Sequence, residues 1–380
     1  MNRAIPLGQL AGIKVAMSWI VPLIAFVYAY TLAETLLPDR VGGQESSTYW
    51  IVGVAGAGLL FLSLLAHEMG HALVGRHEGI GVRGITLTLL GGHTQFVTEP
   101  ASAGAELRVS AIGPFTNFVL AGLFWGGATL AEGSLDGLVQ VIGQMFMWLA
   151  VLNLVLAVVN MLPGAPLDGG AVLEALLWMV TRNRNRSASV ASIIGLGLGG
   201  GLFVLGILVA RNGGPGGTWG IYMIIGGLMI ASSARSRLRD APAIGRLRDT
   251  RLGTVMVPDP PVVAEWSTLT DVVVRAEAWQ PHTAFPVQAP DGRITGLLTA
   301  ELVLAVDPRD WPVVRAVDVA WPLDRIPTAT VDEPVLTALQ RAESAGIDRI
   351  LVVWPDGRVA GTAGRDAARH ALRPPATETA

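Results

Sequence analysis

The sequence predicts a multi-pass α-helical membrane protein of about six transmembrane helices with a small membrane-associated β-hairpin, followed by a cytoplasmic α/β tandem repeat. Three observations carry that fold class. The 380 residues are 51% hydrophobic and only 15% charged, with a mean hydropathy of +0.50; soluble domains carry about 25% charged residues. Apolar runs recur as far as residue 235, each long enough for a bilayer, which takes about 20 helical residues. Beyond residue 240 the composition turns soluble, and two similar stretches each hold a Pro-Asp-Gly-Arg turn, at 290–293 and 355–358. A repeat of that kind reads as two stacked copies of one α/β unit.

Taken in order, residues 12–36 read as the first transmembrane helix, with a kink expected at Pro22. A polar loop starts at Asp39. Residues 49–75 form the second span. Residues 82–98 carry two β-branched runs around Gly91-Gly92, which reads as a hairpin with the glycines at its tip. Residues 106–131 and 137–162 form the third and fourth spans. The apolar character breaks at residues 164–170 and resumes over 171–180. Residues 188–210 and 218–234 give the fifth and sixth spans, with a turn between them. The expected domains are residues 1–239 in the membrane, repeats at 240–313 and 314–373, and a disordered tail at 374–380.

Charge sets the expected orientation. Arg3 and Lys14, then Arg76, Arg83 and Arg108, then Arg182, Arg184 and Arg186, then the arginines from Arg235 to Arg251 all fall on one side if there are six spans. By the positive-inside rule that side is cytoplasmic, so both termini and the repeats are expected there. The first apolar run is too long for a signal-peptide core, so no cleavable signal peptide is expected. The chain has no cysteine, which excludes disulfides and thiolate-bound zinc. A formal net charge of −3 gives no ground for a nucleic-acid partner.

The chemistry centres on His67-Glu68-Met69-Gly70-His71 in the second span. Residues four apart share one face of a helix, so both imidazoles can reach one metal ion, with Glu68 beside it to take a proton from water. Ionisable groups inside a membrane span cost about 2.5–3.5 kcal/mol each on insertion scales. A pair of histidines bonding between helices does not offset that cost as a divalent cation does, and imidazole ligands favour Zn2+. A catalytic zinc usually takes three protein ligands. Asp168 is the comparable polar residue in the apolar part; its alternatives are a helix cap, or Glu174 in its place. His77 reads as a boundary residue and His93 as a loop residue. Asn117, inside a span, needs a partner. The glycine-rich run at 195–201 reads as a close helix contact.

His67-Glu68-x-x-His71, Gly113-Pro114-x-x-Asn117 and Asn160-x-x-Pro163-x-x-Pro166-x-Asp168-Gly169 together resemble the site-2 protease family of intramembrane zinc metalloproteases. The resemblance covers residues 1 to about 235. It implies one Zn2+ per chain on His67, His71 and Asp168, with Glu68 as catalytic base. Asn160 and Asn117 would hold the substrate or the oxyanion. It also implies single-span membrane proteins as substrates, a lipid surround, and a cytoplasmic membrane of prokaryotic type. Residues 241–372 resemble a pair of CBS modules, which occurs in one branch of that family. Such pairs imply an adenine nucleotide ligand. The runs Gly296 to Leu302 and Gly361 to Ala367 depart from the usual nucleotide pattern, each with its acidic residue out of place, Glu301 and Asp366. A structural role, or a homodimer through the pair, is the equal alternative. Two other functions stay open at this point: a transporter or channel regulated by the pair, and an inactive relative that binds membrane segments.

Overall fold

The computed structural model describes residues 4–88, 91–211, 215–276 and 283–372. The chain divides into two compact units, Met1–Ala241 and Pro242–Ala380.

The first unit opens on a sheet, which corrects the first span. β1 (Ala4–Leu10) and β2 (Ile13–Ser18) form a hairpin whose two-residue turn places Ala11 at φ 49° and Gly12 at φ 72°. Residues 12–18 had been expected to be helical. Their period is two: Ile13 and Val15 are buried while Lys14 between them is exposed. The helix starts only at α1 (Val21–Thr31), which continues through a π turn (Leu32–Leu36) into α2 (Leu37–Arg40). Pro22 therefore sits in the first helical turn, where its missing N–H costs nothing and no kink is required.

The long helix α3 (Ser46–His77) follows, then β3 (Val82–Thr88) and β4 (Gly91–Phe96). The sheet order is β1-β2-β3-β4, with β2 and β3 parallel. Gly91 and Gly92 are not the hairpin tip. They pair with Thr88 and Leu87 inside β4, and His93 pairs with Thr86. Residues 89–90, which join the strands, lie outside the described residues. Ile13, Ile85 and Leu87 of this sheet pack with Met69 and Ala72 of α3, which brackets the second histidine of the motif.

Then come α4 (Ala103–Ala131), α5 (Gly137–Asn160), the short α6 (Asp168–Thr181), α7 (Arg184–Arg211) and α8 (Pro215–Asp249). Among the described residues six helices are long and apolar enough to cross a membrane, and each expected span overlaps one of them. The sixth runs past residue 234 because the arginines, leucines and alanines that follow are good helix formers. The expected turn between the last two helices lies partly outside the described residues. Between helices in lipid, close backbone packing replaces the hydrophobic effect. Two glycines of α7 serve that purpose, one in the expected run and one beyond it: a Cβ at Gly199 would lie 2.5 Å from the Ala231 amide, and one at Gly206 would lie 2.7 Å from that of Ile224.

The second unit repeats one pattern twice. Its elements are β5 (Val257–Pro258), β6 (Val263–Ala264), α9 (Leu269–Ala276), β7 (Ala284–Gln288), β8 (Ile294–Thr299), α10 (Ala300–Leu304), α11 (Ala316–Val319) and β9 (Trp321–Pro322), then β10 (Thr328–Thr330), α12 (Val335–Ala345), β11 (Arg349–Val353), β12 (Val359–Gly364) and α13 (Arg365–Leu372). The two sheets run β6-β7-β8-β9 and β10-β11-β12-β5. Each has one parallel pair and one hairpin, and each hairpin turn has its glycine at positive φ, 87° at Gly292 and 84° at Gly357. Each sheet ends on a strand from the other stretch of sequence: β9 closes the first and β5 the second. Ala284, Leu297, Ile326 and Leu351 form one buried cluster from both copies. The tail at 374–380 lies outside the described residues.

Candidate metal centre

The helical spacing of α3 places His67 and His71 on one face, both more than 90% buried, with their Nε2 atoms 3.1 Å apart. Asp168 Oδ2 lies 3.2 Å from the first Nε2 and 3.4 Å from the second. These three side chains are the group among the described residues whose donor atoms could share one metal ion, all within 4.8 Å of one another. Asp168 is the first residue of α6, where the helix dipole favours a carboxylate. It does not act as a cap: the N-cap is Leu167, and no side chain caps this helix. Gly169 and Gly170 let the loop before α6 fold back on the helix start. A Cβ at either would overlap the backbone of Met161, Gly164 or Ala165.

A chain of hydrogen bonds fixes which imidazole nitrogen carries the proton. Asn153 Nδ2 donates to the Leu149 carbonyl at 2.9 Å, so Asn153 Oδ1 is left as acceptor. Asn117 Nδ2 donates to it at 2.8 Å. Asn117 then presents Oδ1 to His67 Nδ1, which must donate. His71 Nδ1 faces the Val109 carbonyl at 2.6 Å, and a carbonyl can only accept. In the neutral imidazoles, the form that binds metal, both Nε2 atoms then carry lone pairs. Two lone pairs and a carboxylate oxygen facing one another repel unless a cation lies between them, and neutral imidazoles anchored through Nδ1 are the usual state of histidine ligands. The donor set fits zinc. Gly113 of α4 completes the cradle, since a Cβ there would fall on Nε2 of both histidines.

Glu68, the residue after His67 on α3, faces β4. Its Oε2 accepts from Thr94 Oγ1 at 2.7 Å, and the carboxylate is buried. The absence of a side chain at Gly92 makes room for it, because a Cβ there would overlap the Glu68 side chain. Gly92, expected at a hairpin tip, thus sits in the strand where it leaves room for the carboxylate.

The other expected residues divide. Asn117 is fully buried, and both of its amide atoms are engaged, with His67 and Asn153. Asn160 ends α5 half-buried and makes no hydrogen bond to the three-residue group. Glu174 faces Arg184 at 3.6 Å instead of the histidines. His77 and His93 are exposed and stand apart. Sequence reading missed Asn153, Thr94 and the Val109 carbonyl. Asn153 had a signal, being a second amide in an apolar span with Asn117 in need of a partner; Thr94 had none.

A six-helix membrane scaffold with an H-E-x-x-H pair, an aspartate and a buried glutamate defines the class of membrane-embedded zinc hydrolases. The comparisons give the family. Residues 55–142 and 129–199 match the family model "Peptidase family M50". Over 353 residues the chain is 34% identical to Rip3 of Mycobacterium tuberculosis, a protein named as a zinc metalloprotease; the match covers 91% of this chain and 87% of that one. It is 31% identical over 370 residues to sll0528 of Synechocystis sp., also named as a zinc metalloprotease, with 95% and 93% covered. Among solved structures, a hemolysin-like protein containing a CBS domain from Oenococcus oeni matches 35% of this chain and 97% of its own, at 16% identity and a TM-score of 0.30. The chain belongs to peptidase family M50. It is a multi-pass membrane protein and an intramembrane zinc metalloprotease.

Proposed function

We propose that His67, His71 and Asp168 hold the single zinc ion and that Glu68 is the general base in hydrolysis of peptide bonds in or near transmembrane segments. The observation that carries this reading is the convergence of two Nε2 lone pairs and one carboxylate oxygen beside a buried glutamate. Zinc, when bound, lowers the pKa of a water and polarises a carbonyl. Glu68 takes the proton of the water whose oxygen attacks the peptide carbon, and returns it to the nitrogen as the C–N bond breaks. Thr94 holds one carboxylate oxygen, which aims the other. Asn160, at the end of α5, stays the candidate for holding substrate or oxyanion. Asn117 belongs behind His67 as the group that orients it, since it is fully buried with its amide bonded to His67 and Asn153.

The substrate is a membrane protein with a single span, locally unwound so that its carbonyls are free. β4 is an edge strand among the described residues and borders Glu68, so an extended segment can add to it by strand pairing. The charge pattern supports a cytoplasmic side for both termini and the repeats. In the repeats, Thr299 Oγ1 is used to cap α10 and Asp366 pairs with Arg349 at 2.7 Å. Those engagements favour a structural or dimer-forming pair over a nucleotide site.

The test is zinc analysis of the purified chain together with cleavage of a single-span substrate by wild type and Glu68→Gln. Bound zinc and cleavage lost in the variant support the reading. Zinc without cleavage by wild type points to a binder of membrane segments, and neither zinc nor cleavage to a transporter or channel.

A further inference from the structure

We propose that Arg184 is a positioning residue for Asp168: it ties α6 to α4 and so sets where the carboxylate meets the two histidines. The inference rests on the reading of Asp168 as a metal ligand.

Arg184 is the first residue of α7, just past the left-handed residue that ends α6. Its side chain is only 13% exposed. Nη2 donates to Glu106 Oε2 of α4 at 2.8 Å. Nη1 donates to Glu99 Oε2 and to the Pro100 carbonyl, each at 3.1 Å. Nε faces Glu174 Oε1 of α6 at 3.6 Å, an ion pair rather than a hydrogen bond. The guanidinium carbon also lies 4.9 Å from the centre of the Trp178 ring of α6. Glu174 and Trp178 are four apart, so they present one face of α6 to the same cation.

The two helices joined in this way carry different parts of the metal centre. α6 begins with Asp168, about 9 Å along the axis from Glu174 at 1.5 Å per residue. α4 carries the Val109 carbonyl that orients His71, Gly113 against both rings, and Asn117 behind His67. Glu106 is less than one turn from Val109. A shift of α6 along α4 would therefore move the carboxylate relative to both rings. Such a shift would also strip buried carboxylates of their cation, which is strongly unfavourable. The planar guanidinium spreads five N–H donors over three nitrogens, so it spans partners that the single nitrogen of an ammonium does not reach together.

The experiment measures zinc affinity of the purified full chain in detergent by competition with a chelator. The proteins are wild type, Arg184→Gln, Arg184→Lys, Asp168→Asn and the Arg184→Gln/Asp168→Asn pair, with thermal unfolding of the zinc-free forms in parallel. Arg184→Gln is expected to weaken zinc about tenfold or more, the scale of lost support around metal ligands, and Arg184→Lys to recover only part of it. In the Asp168→Asn background the same change is expected to have little further effect, because the ligand it places is gone. Wild-type affinity in Arg184→Gln overturns the proposal, as does an equal loss with and without Asp168. Should Arg184→Gln not fold, Glu174→Gln carries the test: weaker zinc supports the tie, and unchanged affinity overturns it. If Asp168→Asn alone leaves zinc affinity unchanged, the ligand reading itself fails; if it weakens zinc while Arg184→Gln does not, only the positioning role fails.

Discussion

Helix α3 and the stretch from Met161 to Thr181 both supply atoms to the metal centre, and they do so by different means. α3 is 32 residues of unbroken helix, and its two histidines converge because four residues make about one turn. The second stretch is an irregular loop followed by 14 residues of helix, and nothing in its own periodicity brings Asp168 to the histidines. Its placement needs glycines at 169 and 170, close contact of Gly195 with Ala165, and the Arg184 ion pairs. A ligand pair set by helical spacing is insured by local geometry. A third ligand brought from another helix depends on the packing that holds that helix.

The largest effect is expected on the α3 side. Glu68→Gln should lower the cleavage rate by about 10²–10⁴ while keeping zinc, whereas His71→Ala should lose zinc and cleavage together. Zinc content measured beside cleavage separates the two. Retained cleavage in Glu68→Gln would remove the proposed base.

Next, Gly113→Ala puts a methyl group on both imidazole Nε2 atoms, and zinc binding should be lost almost entirely. Gly170→Ala presses on the backbone of the loop before α6, so zinc should weaken yet the two-histidine site should survive. Equal affinities in the two variants would erase the distinction drawn between the regions.

A smaller effect is expected for Asn153→Leu. Removing the acceptor behind Asn117 frees that amide to turn, and the His67 Nδ1–H loses its fixed acceptor. Zinc affinity should fall about 10- to 100-fold, read by chelator competition. An unchanged affinity would mean that the Leu149 to His67 relay is not what orients the ring.

The smallest effect belongs to a purely local feature outside the membrane. The Asp356 carboxyl is held below the usual carboxylate range by the Arg358 backbone N–H and then by its guanidinium, although it is exposed. A depressed folded-state value stabilises above the unfolded carboxylate pKa, about 3.9, and the contribution disappears as pH falls through the folded value. Asp356→Asn should therefore lower the melting temperature slightly at pH 7, and the difference should vanish in acid.

Much of the site was legible because membrane burial makes polar residues conspicuous. His67, Glu68, His71 and Asp168 stand out against apolar sequence, and Asn117 announced the need for a partner. The strand at residues 13–18 was not legible in the same way. It is mostly apolar and runs straight into the helix after it, and its period of two shows only once β3 is known to lie beside it. Gly92 looked like a turn residue because the Glu68 side chain that needs its space lies 24 residues earlier in the chain. Arg184 looked like one more orientation charge, since no sequence pattern joins Glu99, Glu106 and Glu174.

The sequence by itself determined the six spans, the two-copy soluble unit and the histidine pair, because each rests on a short-range period or on composition. Only the tertiary structure decided the rest: the protonated nitrogen of each histidine, the partner of Glu68, the engagement of Asn117 behind the metal site, and the fixture of α6 around Arg184. Those features depend on contacts between residues far apart in the chain, where spacing carries no information and packing chooses among many pairings.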